Sequence, residues 1–372
     1  MRVGMNVEQI VQDGVSGIAT YTARLTHALP PHGWEVTPFT ARHSHAHVTA
    51  ALRAAGLTDV DPVVLPLPRP VLYDVWHTVG AADPLRRIAP VDLVHAPSVA
   101  VPPVSDVPLV VTAHDAAPVT FPETYTRRGR WFHHRGFVMA AKRARRVIAV
   151  SAFSADELAA HTPIPRDKIR VVPNGVVVEP VTADDVTRAR QRIGIGDRPF
   201  VLWVGTVQPR KNVRVLVEAF RDAVADGVPH ALVLVGAQGW IDAGVGARDG
   251  DASWLVTPGP IAAAELAALY AGADVFALPS LHEGFGLPAL EAMGHGTAAL
   301  LSDIPALHEA AGDAARFVAP TDVVAWRDAL LDLLGDAGAR AAMAAPGRAR
   351  ASELTWDRCA AATAAVYEEA LG

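Results

Sequence analysis

A chain of 372 residues is too long for one ordinary hydrophobic core, so its length predicts two domains. With 51% hydrophobic residues, 19% charged residues and a formal net charge of −6, the composition excludes a disordered chain and a general nucleic-acid binder. The single cysteine, Cys359, excludes internal disulfides and a multi-cysteine metal site. Met1 to Val7 is too short for the apolar region of a secretory signal, and no apolar window reaches the length of a membrane span. We therefore expect a cytoplasmic protein, at most peripheral on the inner face of the cell membrane.

Short apolar runs alternate with helical patterns along the chain, which is typical of parallel sheets wound with helices. A polar segment between Gly175 and Pro199 separates two sets of runs, so we predict two Rossmann-like α/β domains, residues 1–178 and 179–355. The predicted strands of the first set are Arg2–Asn6, Glu35–Thr40, Asp92–Ala96, Pro108–Ala113, Val147–Ser151 and Ile169–Val172. Those of the second set are Phe200–Val204, Ala231–Val235, Trp254–Thr257, Val275–Leu278, Ala298–Leu301 and Arg316–Val318.

Glycines mark the loop after the first predicted strand, where Gly14 and Gly17 precede a helix that we expect to end near Leu29. Glycine lets backbone N–H groups approach a phosphate closely, so a phosphate contact is one interpretation of this loop. An ordinary structural turn is the other, and the spacing does not match the dinucleotide-binding pattern.

Two patterns resemble metal ligands but are not expected to bind metal. His43, His45 and His47 alternate in a polar stretch that enters a helix, where alternate side chains diverge. Asp249 and Asp251 have the spacing of a divalent-metal pair but lie in a glycine-rich surface loop. We predict no metal site and no cofactor.

His114 stands at the carboxyl end of a predicted strand. Ligands of open α/β sheets bind at that edge, so His114 is a candidate site residue. The alternative is a loop histidine bonded to the backbone.

The segment from Arg127 to Arg146 is basic, contains no acidic residue and is interleaved with aromatic residues such as Trp131. A basic amphipathic helix of this kind suits an anionic membrane surface. The alternative is a solvated helix whose apolar residues face the core.

Adjacent cations follow the first strand of the second half, where Gly205 and Thr206 lead to Arg210 and Lys211 just before a helix expected at Val213–Ala225. An arginine fork and a lysine point charge beside a glycine turn form a plausible diphosphate clamp. Exposed basic residues that only contact water are the alternative.

The stretch from Asp274 to Asp303 predicts a strand, a loop, a short helix and another strand. Glu283 lies in the loop and Glu291 one turn into the helix, with Pro288 at its expected first position. Loop N–H groups, a helix N-terminus and two carboxylates suit a ligand that carries both phosphate and hydroxyl groups.

These motifs, in this order, resemble the retaining glycosyltransferases of family 4. That family has the GT-B fold, an α/β fold of two facing Rossmann-like domains with an interdomain cleft. The most specific segment, Glu283 to Glu291, is similar to the family's E-x7-E motif. The supporting segments are Thr112–Asp115, Val150–Ser154, Val172–Gly175, Val204–Thr206, Pro209–Asn212 and Glu265–Asp274. Two departures are Thr297-Ala298, where the family usually has a Thr-Pro step, and the spaced glycines of the first loop.

The resemblance implies that a nucleoside diphosphate sugar binds mainly to the second domain. Arg210 and Lys211 would hold the diphosphate, Glu291 the ribose hydroxyls, and Glu283 the transferred sugar, which His114 would also contact. The other implied donor-binding residues are Gly14, Gly17, Gly205, Thr206, Gly284, Phe285, Gly286 and Leu287. Residues 356–372 are similar to the terminal helix that crosses back to the first domain in this fold.

The implied reaction is metal-independent hexosyl transfer with retention of anomeric configuration. Gly239-Trp240 and Phe121–Tyr125 are similar to mannosyl-type relatives and favour GDP-mannose over a UDP-sugar, with base selectivity expected from residues 236–261. The acceptor would be a cell-envelope glycan, a lipid-linked glycan or a small molecule. A sugar-nucleotide epimerase and a non-catalytic nucleotide- or glycan-binding protein of the same fold remain the alternatives.

Overall fold

The computed structural model describes residues 1–12, 17–58, 60–88, 90–237 and 253–372. The chain divides into two compact units, which are Met1–Gly175 together with Trp356–Gly372, and Val176–Thr355. The chain passes between the units at Gly175 and Val176, a few residues before the predicted boundary, and again at Thr355 and Trp356.

The first unit is a seven-stranded parallel sheet of order β3-β2-β1-β4-β5-β6-β7. Its strands are β1 (Arg2–Asn6), β2 (Glu35–Thr40), β3 (Val63–Val64), β4 (Leu93–Ala96), β5 (Leu109–Ala113), β6 (Arg146–Ala149) and β7 (Ile169–Val171). Its helices are α1 (Glu8–Val11), α2 (Gly17–Ala28), α3 (His45–Ala54), α4 (Arg69–Thr78), α5 (Ala117–Thr120), α6 (Arg127–Arg143), α7 (Ala152–His161) and α15 (Trp356–Leu371).

Two apolar cores cover the two faces of this sheet because successive strand side chains point to opposite sides. In β5, for example, Val110 joins one core and Val111 the other. The C-terminal helix α15 contributes Tyr367 and the buried thiol of Cys359 to the core that contains Val110. The last helix of the chain therefore belongs to the first unit.

The second unit is a six-stranded parallel sheet of order β10-β9-β8-β11-β12-β13. Its strands are β8 (Phe200–Val204), β9 (Ala231–Val235), β10 (Leu255–Gly259), β11 (Val275–Leu278), β12 (Ala298–Ser302) and β13 (Arg316–Val318). Its helices are α8 (Ala183–Arg192), α9 (Val213–Ala225), α10 (Ala263–Gly272), α11 (Leu287–Gly294), α12 (Pro305–Ala311), α13 (Val323–Gly335) and α14 (Ala337–Glu353). This order is doubly wound, and its direction reverses between β8 and β11.

Each strand expected from the sequence is present, with ends that differ by one or two residues. Strand β3 was not predicted, because its two residues are too few to show a periodic pattern. Among the described residues, no helix is both long and apolar enough to cross a bilayer.

Candidate functional site

Two loops meet at the carboxyl edge of the second sheet, beyond the neighbouring strands β8 and β11. Asn212 adopts a left-handed backbone conformation, with φ of 53°, between Lys211 and helix α9. Its side-chain amide donates to the carbonyl oxygens of Pro279 at 3.0 Å and Pro320 at 2.6 Å. Arg210 donates to the carbonyl oxygen of His282 at 3.1 Å. These bonds join the loop after β8 to the loop after β11 and, through Pro320, to the segment after β13.

A buried ion cluster forms where the two loops meet. Lys211 Nζ lies 2.6 Å and 2.8 Å from the two carboxylate oxygens of Glu283, and Ser280 Oγ donates to the same carboxylate at 2.7 Å. Arg210 Nη1 lies 3.8 Å from Glu283 Oε2. Lys211 and Glu283 are almost inaccessible to water, so their charges interact through a poorly screening environment.

Glu283 is a stable carboxylate in this cluster. Burial alone would raise its pKa, but the charges of Lys211 and Arg210 and the hydrogen bonds from Lys211 and Ser280 outweigh burial and lower the pKa below its ordinary value. Glu283 is therefore unsuited to donate a proton near neutral pH, and its negative charge orients Lys211.

Helix α11 begins directly after this cluster. Gly286 precedes the helix with φ of 91°, and a Cβ atom there would approach Leu307 Cδ2 to 2.6 Å. The positive φ favours glycine at this position, whereas a small movement of the Leu307 side chain would relieve the close contact. The helix starts at Leu287, so Pro288 occupies its second position and not the expected first. Phe285 is buried.

Glu291 lies one turn inside α11 and is half-buried. The hydroxyl of Tyr270, from α10, donates to Glu291 Oε2 at 2.9 Å. One carboxylate oxygen is thereby oriented by a buried side chain, and a carboxylate has capacity for further hydrogen bonds.

Gly205 and Thr206 leave the end of β8 at the same edge. The N–H of Gly205 donates to the carbonyl oxygen of Val235 at 2.9 Å. A Cβ atom on Gly236 would lie 1.8 Å from the carbonyl oxygen of Gly205, so the backbones after β8 and β9 pass in close contact. Residues 238–252 lie outside the described residues. They include much of the segment 236–261 that is expected to select the base, the Gly239-Trp240 step that is similar to mannosyl-type relatives, and the Asp249-Asp251 pair.

His114 follows β5 in the first unit. Its Nε2 lies 3.0 Å from the carbonyl oxygen of Pro97, and the ring of Tyr21 packs against it edge-on at 4.9 Å. Burial lowers its pKa despite opposing contributions from Pro97 and Asp115, so the imidazole is neutral near pH 7. A neutral ring that donates Nε2–H to Pro97 has Nδ1 as its acceptor nitrogen. The backbone bond expected by the alternative interpretation is therefore present. Of the first loop, Gly17 begins α2, whereas Gly14 is outside the described residues.

The basic helix predicted from Arg127 to Arg146 ends earlier than expected. Some of its basic side chains also bind other parts of the protein and are only partly exposed to water. Helix α6 ends at Arg143, and Arg146 begins strand β6, where it pairs with Glu369. Arg135 donates to the backbone of His77 and Arg143 to that of Trp76. Phe137 and Met139 face the core, as the alternative interpretation expects. The residues that stay exposed are Arg127, Arg128, Arg130, Trp131, His134, Lys142 and Arg145.

The expected divergence of the three histidines holds for His45, which lies 3.8 Å from Asp61, but not for His43 and His47, whose ring centroids are 5.6 Å apart. Ser44 caps helix α3, His43 contacts Glu8 at 3.1 Å, and His47 contacts the carbonyl oxygen of Val11 at 3.0 Å. Within the described ranges, no three His, Cys, Asp or Glu residues form a group that could hold a metal ion.

Sequence reasoning missed two residues that contact the candidate site. Ser280 bonds Glu283 from three residues earlier in the same loop, a spacing that a search for local side-chain bonds could have identified. Tyr270 contacts Glu291 from a different helix, and no sequence spacing indicates that pair.

Family models match both halves of the chain. Residues 15–179 match the model described as glycosyltransferase family 4, and residues 198–336 match the model described as glycosyl transferases group 1. The O-antigen chain mannosyltransferase B of Escherichia coli is 30% identical over 268 residues, which are 70% of each chain. A D-inositol 3-phosphate glycosyltransferase of Xylanimonas cellulosilytica is 34% identical over 291 residues, covering 71% of this chain and 67% of its own.

Solved structures resemble the fold over its whole length. Sucrose-phosphate synthase of Thermosynechococcus elongatus has a TM-score of 0.73 at 21% identity and covers 99% of this chain and 98% of its own. The HepE protein of Anabaena, solved with UDP and glucose, has a TM-score of 0.73 at 19% identity and covers 99% of this chain and 100% of its own. Two parallel-sheet α/β units with these neighbours make the fold GT-B.

Proposed function

This chain belongs to glycosyltransferase family 4, and from that premise we propose that it transfers a hexosyl group from a nucleoside diphosphate sugar. The acceptor is a hydroxyl of a glycan, a lipid-linked glycan or a small molecule. The reaction proceeds with retention of anomeric configuration and needs no metal ion. The cluster of Arg210, Lys211, Glu283 and Ser280 beside α11 is the observation that carries this proposal.

In the proposed reaction the bond from the anomeric carbon to the donor phosphate breaks, and the nucleoside diphosphate leaves with its electron pair. Negative charge grows on the leaving phosphate, where Arg210 and Lys211 stabilise it. The acceptor oxygen forms its bond on the same face of the sugar, and its proton passes to a leaving phosphate oxygen. Glu283, an unprotonated carboxylate, orients Lys211 and accepts hydrogen bonds from the sugar hydroxyls. His114 is a further proposed sugar contact.

A mannosyl donor is the favoured substrate and GDP the favoured nucleotide. Two relatives support mannose by name, the mannosyltransferase of Escherichia coli and the MMP α-(1→4)-mannosyltransferase of Mycolicibacterium hassiacum, which is 32% identical over 280 residues. UDP-hexose is the second candidate, because HepE was solved with UDP. The O-antigen relative favours a role in cell-envelope glycan synthesis.

A ligand panel tests the proposal. Purified protein is heated with UDP, GDP, ADP or dTDP, and a nucleotide at a hundredfold its Kd should stabilise the fold by about 2.7 kcal/mol. The GDP-, UDP-, ADP- and dTDP-hexoses are then assayed for release of nucleoside diphosphate. We expect one nucleotide to stabilise the protein and its sugar to be cleaved.

Stabilisation without release of nucleoside diphosphate, with or without glycan acceptors, would favour the non-catalytic alternative. Conversion of the donor to an isomeric sugar nucleotide would favour the epimerase. If no nucleotide stabilised the protein and no donor were cleaved, the proposal would fail.

We also propose that the exposed part of α6 contacts an anionic membrane surface. Arg127, Arg130 and Trp131 lie near its start, and Arg127, Arg128, Trp131 and Asp74 line a shallow depression. Cations beside an exposed indole suit the headgroup region, where tryptophan side chains prefer to lie.

A further inference from the structure

Tyr270 is a buried tyrosine whose hydroxyl is bonded to the carboxylate proposed to bind the donor ribose. We infer that Tyr270 is a positioning residue that sets the enzyme's preference for ribonucleotide donors, by orienting Glu291 toward the two ribose hydroxyls. This inference rests on the proposed function and deepens it. Tyr270 itself need not touch the donor.

The ring of Tyr270 has little freedom to move. Its side chain is 2% exposed, and it packs against Phe276 of β11 at 5.8 Å and stacks on His295 at 6.1 Å. The hydroxyl of Thr297 donates to the backbone oxygen of Tyr270. Contacts from β11, from the end of α11 and from the start of β12 therefore fix the position of the phenol.

The phenol remains protonated under all physiological conditions. Burial, the nearby Glu291 charge and the hydrogen bond to Glu291 all raise the pKa of Tyr270 well above its ordinary value. The hydroxyl is thus a permanent donor to Glu291 Oε2, at 2.9 Å.

A carboxylate one turn inside a helix can rotate about several side-chain bonds unless another group restrains it. Since each carboxylate has about four acceptor positions, it can accept the bond from Tyr270 together with bonds from other donors. Glu291 is half-buried, so part of the residue is open to water. Restraining the acceptor before the ligand arrives lowers the entropy lost on binding.

The test compares affinities of ribonucleotides and deoxyribonucleotides. GDP, UDP and their 2′-deoxy and 3′-deoxy forms are titrated calorimetrically into the wild-type protein and the variants Tyr270→Phe, Glu291→Ala and Tyr270→Phe/Glu291→Ala. Phenylalanine keeps the packed ring and removes only the hydroxyl. Tyr73→Phe, another buried tyrosine but in the first unit, is the matched control.

We expect the wild-type protein to prefer ribonucleotides and Tyr270→Phe to reduce that preference about fivefold, the value of one hydrogen bond. Binding of the deoxy forms should change little, and Tyr73→Phe should behave as wild type. Adding Tyr270→Phe to Glu291→Ala should have no further effect, because alanine leaves no acceptor for the Tyr270 hydroxyl to orient. Thermal unfolding of each variant establishes that it is folded.

Two results would overturn this inference alone: an unchanged ribose preference in Tyr270→Phe, or an equal loss of affinity for ribo and deoxy forms, which a merely structural residue would cause. If the wild-type protein bound no nucleoside diphosphate, the proposed function would fail and this inference with it.

Discussion

Lys211 and Glu283 form a buried ion pair, so replacing either residue should destabilise the folded protein. Both are buried, and removing one partner of a buried pair typically costs about 3–5 kcal/mol of folding free energy because the other charge is left uncompensated. Ser280 donates a hydrogen bond to the same carboxylate, and Arg210 forms a longer ion pair with it. A mutation here therefore changes stability as well as turnover, and the two effects must be measured separately.

Replacing either cation should slow the chemical step. We expect Lys211→Met and Arg210→Ala to lose about 2–4 kcal/mol of transition-state stabilisation, since each removes a preorganised charge from the leaving phosphate. Single-turnover release of nucleoside diphosphate measures the loss, with thermal unfolding measured alongside.

Arg214→Ala is the matched control, because Arg214 is exposed and pairs only with its helical neighbour Glu218 among the contacts described for it. Near-normal turnover in both site variants would contradict the proposed roles of Arg210 and Lys211.

The low pKa of Glu283 predicts a pH dependence of stability. A carboxylate with a lower pKa in the folded state than in the unfolded state stabilises the protein fully above its unfolded pKa, about 4.3. That stabilisation decreases as pH falls through the lower folded pKa. As the pH falls from about 5 through these two pKa values, the wild-type protein should therefore lose more stability than Glu283→Gln.

Melting temperatures across this pH range measure the difference. A Glu283→Gln protein with the same acid sensitivity as wild type would indicate that the carboxylate is not stabilised by its neighbours.

The sequence did not predict which site residues contact each other. Glu283 and Lys211 could each be assigned to the carboxyl edge of a parallel sheet, because each directly follows an apolar run. Their ion pair depends on Asn212, whose left-handed backbone and two bonds to distant carbonyl groups bring the loops together. Sequence spacing contains no information about such a contact.

Helix α6 has fewer solvent-exposed basic residues than its sequence pattern predicts. The basic residues were evident in the sequence, but Arg135 and Arg143 serve as donors to backbone carbonyls and Arg146 pairs with Glu369. A long arginine side chain satisfies buried carbonyl groups as readily as it faces water. Strand β3 was missed for the opposite reason, since two residues give no periodic signal.

The exposed cations of α6 nevertheless predict salt-sensitive membrane binding. We expect Arg127→Glu/Arg130→Glu to weaken partition onto vesicles that contain phosphatidylglycerol by roughly 2 kcal/mol or more, at about 1 kcal/mol for each basic residue lost. Vesicle sedimentation in low and high salt measures the partition.

Arg188→Glu/Arg214→Glu is a control with the same change of charge on exposed residues of α8 and α9. Equal weakening by both double variants, or indifference of the wild-type protein to anionic lipid, would favour the interpretation of α6 as an ordinary solvated helix.

For the whole molecule, the alternation of strands and helices predicted two parallel sheets, and both are present. Alternation is a strong signal because a parallel connection requires a crossover, usually a helix. The assignment of α15 to the first unit required the resemblance to a family, since its apolar face would suit either sheet.

Removing residues 356–372 should unfold the first unit and spare the second. The truncation removes Tyr367 from the core and from its 2.6 Å hydrogen bond with His95, and removes Glu369 from Arg146 and Arg170. Calorimetry should show loss of one transition. Deleting only Leu371 and Gly372, both exposed, is the control and should leave both transitions intact. Two normal transitions in the longer truncation would contradict this assignment.

Turnover should survive a chelator. In the proposed reaction Arg210 and Lys211 supply the positive charge that a divalent ion supplies in other enzymes, so EDTA should leave nucleoside diphosphate release unchanged. Asp249→Asn/Asp251→Asn should match wild type under the same conditions. Complete loss in EDTA, restored by Mg²⁺ or Mn²⁺, would show that the reaction uses a metal.

The return of the chain to its first unit has a consequence for how the protein is made. A ribosome synthesises residues 176–355 as one continuous stretch, so the second unit can fold as soon as that stretch emerges. The first unit must wait for α15, although most of it was made earlier. Until then Trp34 and Tyr21 lack their ring contacts with Tyr367 and Trp356 of that helix. Synthesis therefore reverses the usual order in which N-terminal domains fold first. A ribosome that stops between Thr355 and Leu371 would release a chain whose second unit is folded and whose first unit is prone to aggregate.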